Sequence, residues 1–311
     1  MISLSTSYET PQVAFQREEL VERIMRALPT DGSTQPFAGL YLYRRSVPYE
    51  VIHGVVEPSF CVIAQGSKEV WLGESRYQYD ADHYLLATAD LPHVSQVLDA
   101  SPMRPYLALR LPLAPALVRS VMTEVSPLPL LNQEDVRAMA VRPLEAPLLD
   151  TVVRIIRLLD APDDAPILLP LISQEIIYRL LQDHHGKRLR HLVLQGGYRP
   201  DMAQAIERLQ REFDQPLHIE HLAQELGMSV SGLHHHFKAV TALSPLQFQK
   251  RLRLQEARRL MLSEAIDATQ AAYRVGYHNV SHFNREYKSL FGIPPLRDVQ
   301  RLRGGTWEQV G

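Results

Sequence analysis

Between His218 and Pro295 the chain spells one structural unit twice, and few folds accommodate that. The first copy runs through Leu222, Ala223 and Gly227 to Leu233, Phe237 and Lys238; the second runs through Ala271, Ala272 and Gly276 to Phe283, Tyr287 and Lys288. In each copy a small Ala stands four residues before a Gly. That spacing lets two helices cross closely, with Gly taking the tight turn between them. Each copy therefore reads as a helix-turn-helix, and a tandem pair is far more specific than one copy alone. Between them, Ser244 and Pro245 read as the N-cap and first residue of one long helix. Its Leu246, Phe248, Leu252, Leu254, Ala257, Leu260 and Met261 supply apolar faces for both flanking units. Such a helix fixes the distance and rotation between them.

In the second helix of the first copy, Val230, Leu233, Phe237 and Val240 recur at the spacing of a buried face. A turn of about 100° per residue then points Ser231, His235 and Lys238 outward, with His234 on the flank. In the second copy Val280, Phe283, Tyr287 and Leu290 form the buried face, Ser281, Arg285 and Lys288 point outward, and Asn284 flanks them. Outward residues in the N-terminal half of such a helix reach base edges in the major groove, and lysines nearer its C-terminal end meet phosphate. Ser231, His234, His235, Ser281, Asn284 and Arg285 are therefore the candidate base contacts. Lys238 and Lys288 are the candidate phosphate contacts. The competing reading is that all of these positions are merely solvated.

Several motifs carry a family resemblance. The runs Ser244-Pro245-Leu246-Gln247-Phe248, Arg251-Leu252-Arg253-Leu254-Gln255-Glu256-Ala257-Arg258-Arg259-Leu260 and Val275-Gly276-Tyr277 resemble the AraC/XylS family of bacterial transcription regulators. So does Ser281-His282-Phe283-Asn284-Arg285-Glu286-Tyr287-Lys288, followed by Phe291-Gly292-Ile293-Pro294-Pro295. The match covers about a third of the chain. It departs from the pattern at His235, where the first recognition helix commonly carries Arg. Further upstream, Phe60-Cys61-Val62-Ile63-Ala64-Gln65-Gly66-Ser67-Lys68 and Tyr84-Leu85-Leu86-Ala87-Thr88-Ala89-Asp90 resemble the cupin-like N-terminal domain of one AraC-type subgroup. The resemblance implies double-stranded promoter DNA as partner, a small-molecule effector, a homodimer, and contact with RNA polymerase if the protein activates.

The N-terminal texture agrees with a β-rich domain. Phe15 to Leu28 has helical spacing, and Pro29, Thr30, Asp31, Gly32 and Ser33 end it with turn chemistry. Short β-like runs follow at residues 40–43, 60–64, 69–72, 75–79, 84–87, 94–98 and 106–111. Their near-regular spacing argues a small antiparallel barrel or sandwich, whose mouth is the expected place for a small-molecule pocket. Helical patterns occupy 112–124, 144–159 and 166–181. The last two are so apolar that they must cover either the barrel or a second copy of the chain. The expectation is a two-fold contact through Ile155 and Ile176.

The fold class expected is thus α+β: a cupin-like barrel with flanking helices, then an all-α domain of two helix-turn-helix units joined by a long helix. The boundaries expected are 1–186 for sensing and dimerisation (barrel about 38–112, helices about 113–184), 187–200 for a linker, and 201–303 for the tandem unit. The formal net charge of −2 hides an acidic balance before residue 197 and a basic one after it, which supports phosphate attraction in the second half. Met1 to Glu19 lacks a basic-then-apolar leader pattern, and the most apolar run, 167–177, is too short to span a bilayer. The expectation is a cytoplasmic protein with no membrane partner.

Cys61 is alone, so no internal disulfide or multi-Cys zinc site is expected, and it reads as a packed thiol. Consecutive helical residues diverge by about 100°, so His234, His235 and His236 cannot converge on one metal ion. His53, His83 and His93 lack the close His-x-His pair of catalytic cupins. Neither an enzyme nor a cofactor is expected. The alternatives are a ligand-independent regulator with a protein-interaction domain, and a cupin enzyme or metal binder carrying a DNA module.

Overall fold

The structure, a computed structural model, describes residues 10–48, 51–124, 137–182, 189 and 200–304. Helix α1 (Pro11–Ala27) starts at Thr10, whose side chain accepts a hydrogen bond from the Val13 N–H, with Pro11 at the first helical position. Ten strands follow: β1 (Gly32–Phe37), β2 (Leu40–Arg45), β3 (Ile52–Val56), β4 (Ser59–Gln65), β5 (Ser67–Leu72), β6 (Ser75–Asp80), β7 (His83–Ala87), β8 (Leu91–Asp99), β9 (Tyr106–Pro112) and β10 (Met139–Pro143). They form two antiparallel sheets, in the orders β1-β2-β9-β4-β7-β10 and β3-β8-β5-β6. The described strands thus make two separate ladders rather than one closed ring.

All seven expected strand runs are strands. β1, β3 and β10 were not expected. Gly32 and Ser33 already pair with Arg44 and Tyr43, so the turn after α1 is shorter than its composition suggests. β3 carries Gly54, a poor strand residue by propensity, which is held by pairing with His93 of β8. β10 ends in Arg142 and Pro143 and is held as an edge strand on β7.

Helices α2 (Pro115–Glu124), α3 (Ala146–Arg157) and α4 (Ala165–Gln182) lie with α1 against the larger sheet. The expected two-fold contact through Ile155 and Ile176 does not match this packing. Their exposures are 1% and 0% within a single chain, because α1 packs on α3, α2 and α3 pack on α4, and all share one apolar core with the sheet. The large apolar residues of α4 that do face outward are Ile167, Leu168, Leu171 and Tyr178.

The second half is all helical: α5 (Pro200–Arg211), α6 (Ile219–Glu225), α7 (Val230–Thr241), α8 (Pro245–Ser263), α9 (Ala268–Arg274), α10 (Val280–Phe291) and α11 (Pro295–Gly304). Ser244 caps α8 in a full capping box, accepting from the Gln247 N–H while the Gln247 side chain accepts from the Ser244 N–H. The fold is therefore mixed α+β, with a sheet-rich N-terminal part and a helical C-terminal part. The linker expected over 187–200 and the loop carrying Pro127 and Pro129 fall, apart from Leu189 and Pro200, outside the described residues. No helix among the described residues is long and apolar enough to cross a membrane.

The two parts touch. The Ala138 N–H donates to the Val240 carbonyl at 3.2 Å. The side-chain amides of Gln210 and Gln255 donate to the carbonyls of Asp90 and Gly54 at 3.0 and 2.8 Å. The His53 ring on β3 stands edge-on to Phe291, the last residue of α10, at 4.8 Å. Burial, with Arg258 and Arg251 nearby, lowers the His53 pKa from 6.5 to about 4. Burial and Lys68 lower that of His93 to about 3.

Both imidazoles are thus neutral in the fold at pH values where the unfolded chain already binds protons. The stability they hold is complete above pH 6.5 and is lost as pH falls toward 4 for His53 and 3 for His93. Urea midpoints should accordingly fall between pH 7 and 4.5, and His53→Gln should flatten that slope. Parallel curves for the two proteins would remove His53 from the account.

Candidate nucleic-acid interface

The two helix-turn-helix units repeat their hydrogen bonds as well as their residues. In the first, the Met228 N–H donates to the Ala223 carbonyl and the Gly227 N–H to Gln224. In the second, the Tyr277 N–H donates to Ala272 and the Gly276 N–H to Tyr273. Gly227 and Gly276 have φ of +65° and +86°, the left-handed conformation a side chain resists. Ala223 and Ala272 are buried at 1% and 0% exposure, as the close crossing requires. Ser229 caps α7 by accepting from the Gly232 N–H, and Asn279 caps α10 by accepting from the His282 N–H.

These caps set which faces show. On α7, Leu233, Phe237 and Val240 are buried, while Ser231, His235 and Lys238 are exposed and His234 is partly exposed. Val230, expected in the buried face, is 37% exposed at the first position of the helix. On α10, Phe283 and Tyr287 are fully buried, Val280 and Leu290 partly so, and Ser281, Asn284, Arg285 and Lys288 are exposed. Arg285 makes no hydrogen bond or ion pair among the described residues, so its planar fork is available. The exposed side chains of each recognition helix share one face, as their spacing requires.

Two buried networks fix these helices. Asp298, with no exposed surface, pairs with Arg258 at 2.8 Å and accepts from the Tyr287 hydroxyl at 2.8 Å. That ties α10 to α8 through α11. Burial and the Asp298 charge push the Tyr287 hydroxyl pKa up, so it remains a donor. The second network centres on Arg253 of α8. Its guanidinium donates to the carbonyls of Phe213, Gln215 and Gly276 at 2.6, 2.8 and 3.0 Å. One side chain thus joins the loop before the first unit to the turn inside the second. Gly276 is needed twice, because a Cβ there would lie 1.9 Å from the Asp214 carbonyl oxygen. Sequence reading missed Arg253, since its three acceptors lie in two segments remote from it and from each other.

A cavity lies between the two sheets, with about 830 Å³ of space free of protein atoms when the open solvent at its mouth is included. Ile52, Val70, Leu85 and Met139 line its apolar part, and Arg45, Lys68, His93 and Arg110 its polar part. Burial pushes the Cys61 thiol pKa up, which suits a packed neutral side chain. Among the described residues no three His, Cys, Asp or Glu side chains gather as metal ligands do.

Arg253→Lys removes the fork and leaves one ammonium for three carbonyls. Charge-assisted bonds of this kind contribute about 1.5–3 kcal/mol each when lost. The variant should melt several degrees lower. On DNA carrying two bound segments it should also tolerate a one-base-pair change of spacing better than the parent. Unchanged spacing tolerance with unchanged melting would show that other contacts hold the two units.

The chain matches two family models. Residues 36–188 match the AraC-type transcriptional regulator N-terminus and residues 222–301 match a helix-turn-helix domain. It is 26% identical over 136 residues to the transcriptional regulator ArgR of Pseudomonas aeruginosa, covering 43% of this chain and 41% of ArgR. It is 31% identical over 97 residues to the transcriptional activator RhaS of Escherichia coli, covering 31% of this chain and 34% of RhaS. The alignments thus span less than half the length of these relatives. Unsaturated fatty acid-bound ToxT from Vibrio cholerae shares the fold at a TM-score of 0.55 and 13% identity, covering 87% of this chain and 96% of that one. With one family model on each half, and the tandem units in the second, the chain belongs to the AraC family of transcriptional regulators.

Proposed function

We propose that this chain is a cytoplasmic, sequence-specific regulator of transcription that reads double-stranded DNA through residues 201–303. Residues 1–186 sense a small molecule and dimerise, and residues 187–200 link the two parts. The observation that carries the reading is the paired exposure on α7 and α10, where each outward face holds polar residues backed by a buried aromatic core. Ser231, His234 and His235 read bases in one half of the site, and Ser281, Asn284 and Arg285 in the other. Lys238 and Lys288 meet phosphates. The two sheets flanking a cavity suit a cupin-like sensing domain. Strand β3 supports sensing further, because Ile52 and Gly54 face the cavity while His53 meets α10. RhaS is named an activator, and if this chain activates as well, RNA polymerase is its further partner.

The dimer contact is proposed on the outer face of α4. Ile167, Leu171 and Tyr178 recur at helical spacing and are 68%, 55% and 48% exposed. Gln174 is the polar residue among them, so two such stripes can meet across a two-fold axis without like charges opposing.

Arg285→Ala should relax base preference at one position of the second half of the site, at a cost of ~1–3 kcal/mol for the preferred sequence. Selection of bound sequences from a random pool would read this. Equal weakening on all sequences would make Arg285 a phosphate contact instead. Leu171→Asp should give a folded monomer, followed by sedimentation and circular dichroism. A variant that is still dimeric would place the interface elsewhere.

A further inference from the structure

The second helix-turn-helix unit meets the sheets along a seam of poorly satisfied polar groups. His53 on β3 stands edge-on to Phe291 at 4.8 Å, and the Arg258 guanidinium lies over the same Phe291 ring at 4.5 Å. Beside them α8 packs on β3 and β8, and its Gln255 donates to the Gly54 carbonyl. Three buried polar atoms here find no hydrogen-bond partner: Nδ1 of His53, one terminal nitrogen of Arg251 and the side-chain oxygen of Gln255. Each costs free energy that water would return if the surfaces parted. The seam is closed against a standing cost.

The charges that act on His53 are cationic. α8 brings Arg258 and Arg251, and α10 presents Phe291, which carries none. β8 brings His93, whose ring lies behind β3 on the cavity side. The carboxylates of the adjoining helices are engaged elsewhere. Asp298 of α11 holds Arg258 and accepts from the Tyr287 hydroxyl. Glu256 of α8 pairs with Arg259 at 2.7 Å, and Glu286 of α10 with Lys250 at 3.3 Å. Arg251 is itself desolvated, and burial lowers its pKa. An imidazolium at His53 would thus be one more cation in a seam that offers it no counter-ion.

We propose that this seam is a proton-operated latch, in which a proton taken up by His53 parts α10 and the adjoining turns of α8 from β3. Closed, the ring is neutral, because burial first, and Arg258 and Arg251 next, hold its pKa at about 4. Parted, it reaches water and titrates as a free imidazole does, near 6.5. The closed state is therefore fully favoured above pH 6.5 and is lost as pH falls toward 4. One proton bound with these two affinities raises the open-to-closed ratio about tenfold between pH 7.5 and 5.5. His93 adds nothing to this, since it stays inside the sheets in both states. The first unit is not released, because its core is continuous with the strands. The latch needs no ligand in the cavity, so it stands apart from the sensing role proposed above.

The test measures the distance between spin labels on Gln78→Cys of β6 and Arg297→Cys of α11, both exposed positions, in a full chain carrying Cys61→Ala. Circular dichroism is followed in parallel. A second, longer distance should grow as pH falls from 6.5 to 4 while the spectrum stays native. His53→Phe keeps an aromatic ring that takes no proton and should hold the short distance throughout. His53→Gln should give a distribution that pH does not alter. Arg251→Met removes one opposing charge and one unsatisfied nitrogen, and should move the change to lower pH. A single distance unchanged at pH 4, equal lengthening in His53→Phe, or loss of the native spectrum before the distance changes would each overturn the proposal.

Discussion

The C-terminal half depends on one guanidinium. Arg253 leaves α8 and places its N–H groups on carbonyls contributed by Phe213, Gln215 and Gly276. Backbone carbonyls at loop ends need donors, and a single planar fork meets three of them at fixed angles where a flexible ammonium could not. Gln249, one turn earlier, adds a fourth strand to the same knot by donating to Gln215 at 2.7 Å. The knot closes only because Gly276 lets the Asp214 carbonyl pass where a Cβ would sit. The long helix is therefore more than a spacer. It carries the bond that makes two separate helix-turn-helix units rotate as one body, which any reader of two successive major grooves requires, ~34 Å apart.

The same helix connects that body to the sheets. Gln255 donates to the Gly54 carbonyl, and His53, next in the strand, meets the end of α10. Successive residues of a strand face opposite ways. β3 thus offers Ile52 and Gly54 to the cavity and His53 to the second recognition helix, with no intervening layer. Gly54 suits the position for a local reason as well: a Cβ there would lie 3.2 Å from the His93 ring. Cavity and recognition helix are separated by the thickness of one strand.

Much of this could be read in the sequence, and the parts that could not share a cause. The tandem repeat gave both recognition helices and their outward residues, and Ser244 gave the start of the long helix, because helical periodicity and capping act within a few residues. The seven strand runs were legible for the same reason. β3 and β10 were not, since Gly54, Arg142 and Pro143 are poor strand residues held by partners far along the chain. The apolar excess of α3 and α4 was visible. Its destination was not, because burial of Ile155 depends on α1 packing on α3 from far along the chain, and burial of Ile176 on α2 and α3 packing on α4. Arg253 was likewise silent, as a lone cation in a helix carries no periodic signal, and what distinguishes it is the set of acceptors that the fold brings to it.

The two helix-turn-helix units are attached to the sheets by different physics. Buried residues of the first, among them Leu222, Leu233, Phe237 and Val240, belong to one continuous apolar core with Val70, Leu91 and Met139 of the strands. Gly73 lies so close to the left-handed Ala242 at the end of α7 that a Cβ would meet its carbonyl oxygen at 2.3 Å. Parting these surfaces would expose apolar area at ~25 cal/mol per Å² and empty a packed seam. The second unit keeps its own core around Phe283 and Tyr287. Among the described residues its own contact with the sheets is the His53 ring against Phe291, and the long helix beside it adds the Gln255 amide and its packing on β3 and β8. One aromatic contact and one hydrogen bond are worth a few kcal/mol at most. A force acting on β3 from the cavity therefore meets a stiff attachment at the first unit and a weak one at the second. Since Arg253 couples the two units, release at α10 is resisted mainly by the knot itself.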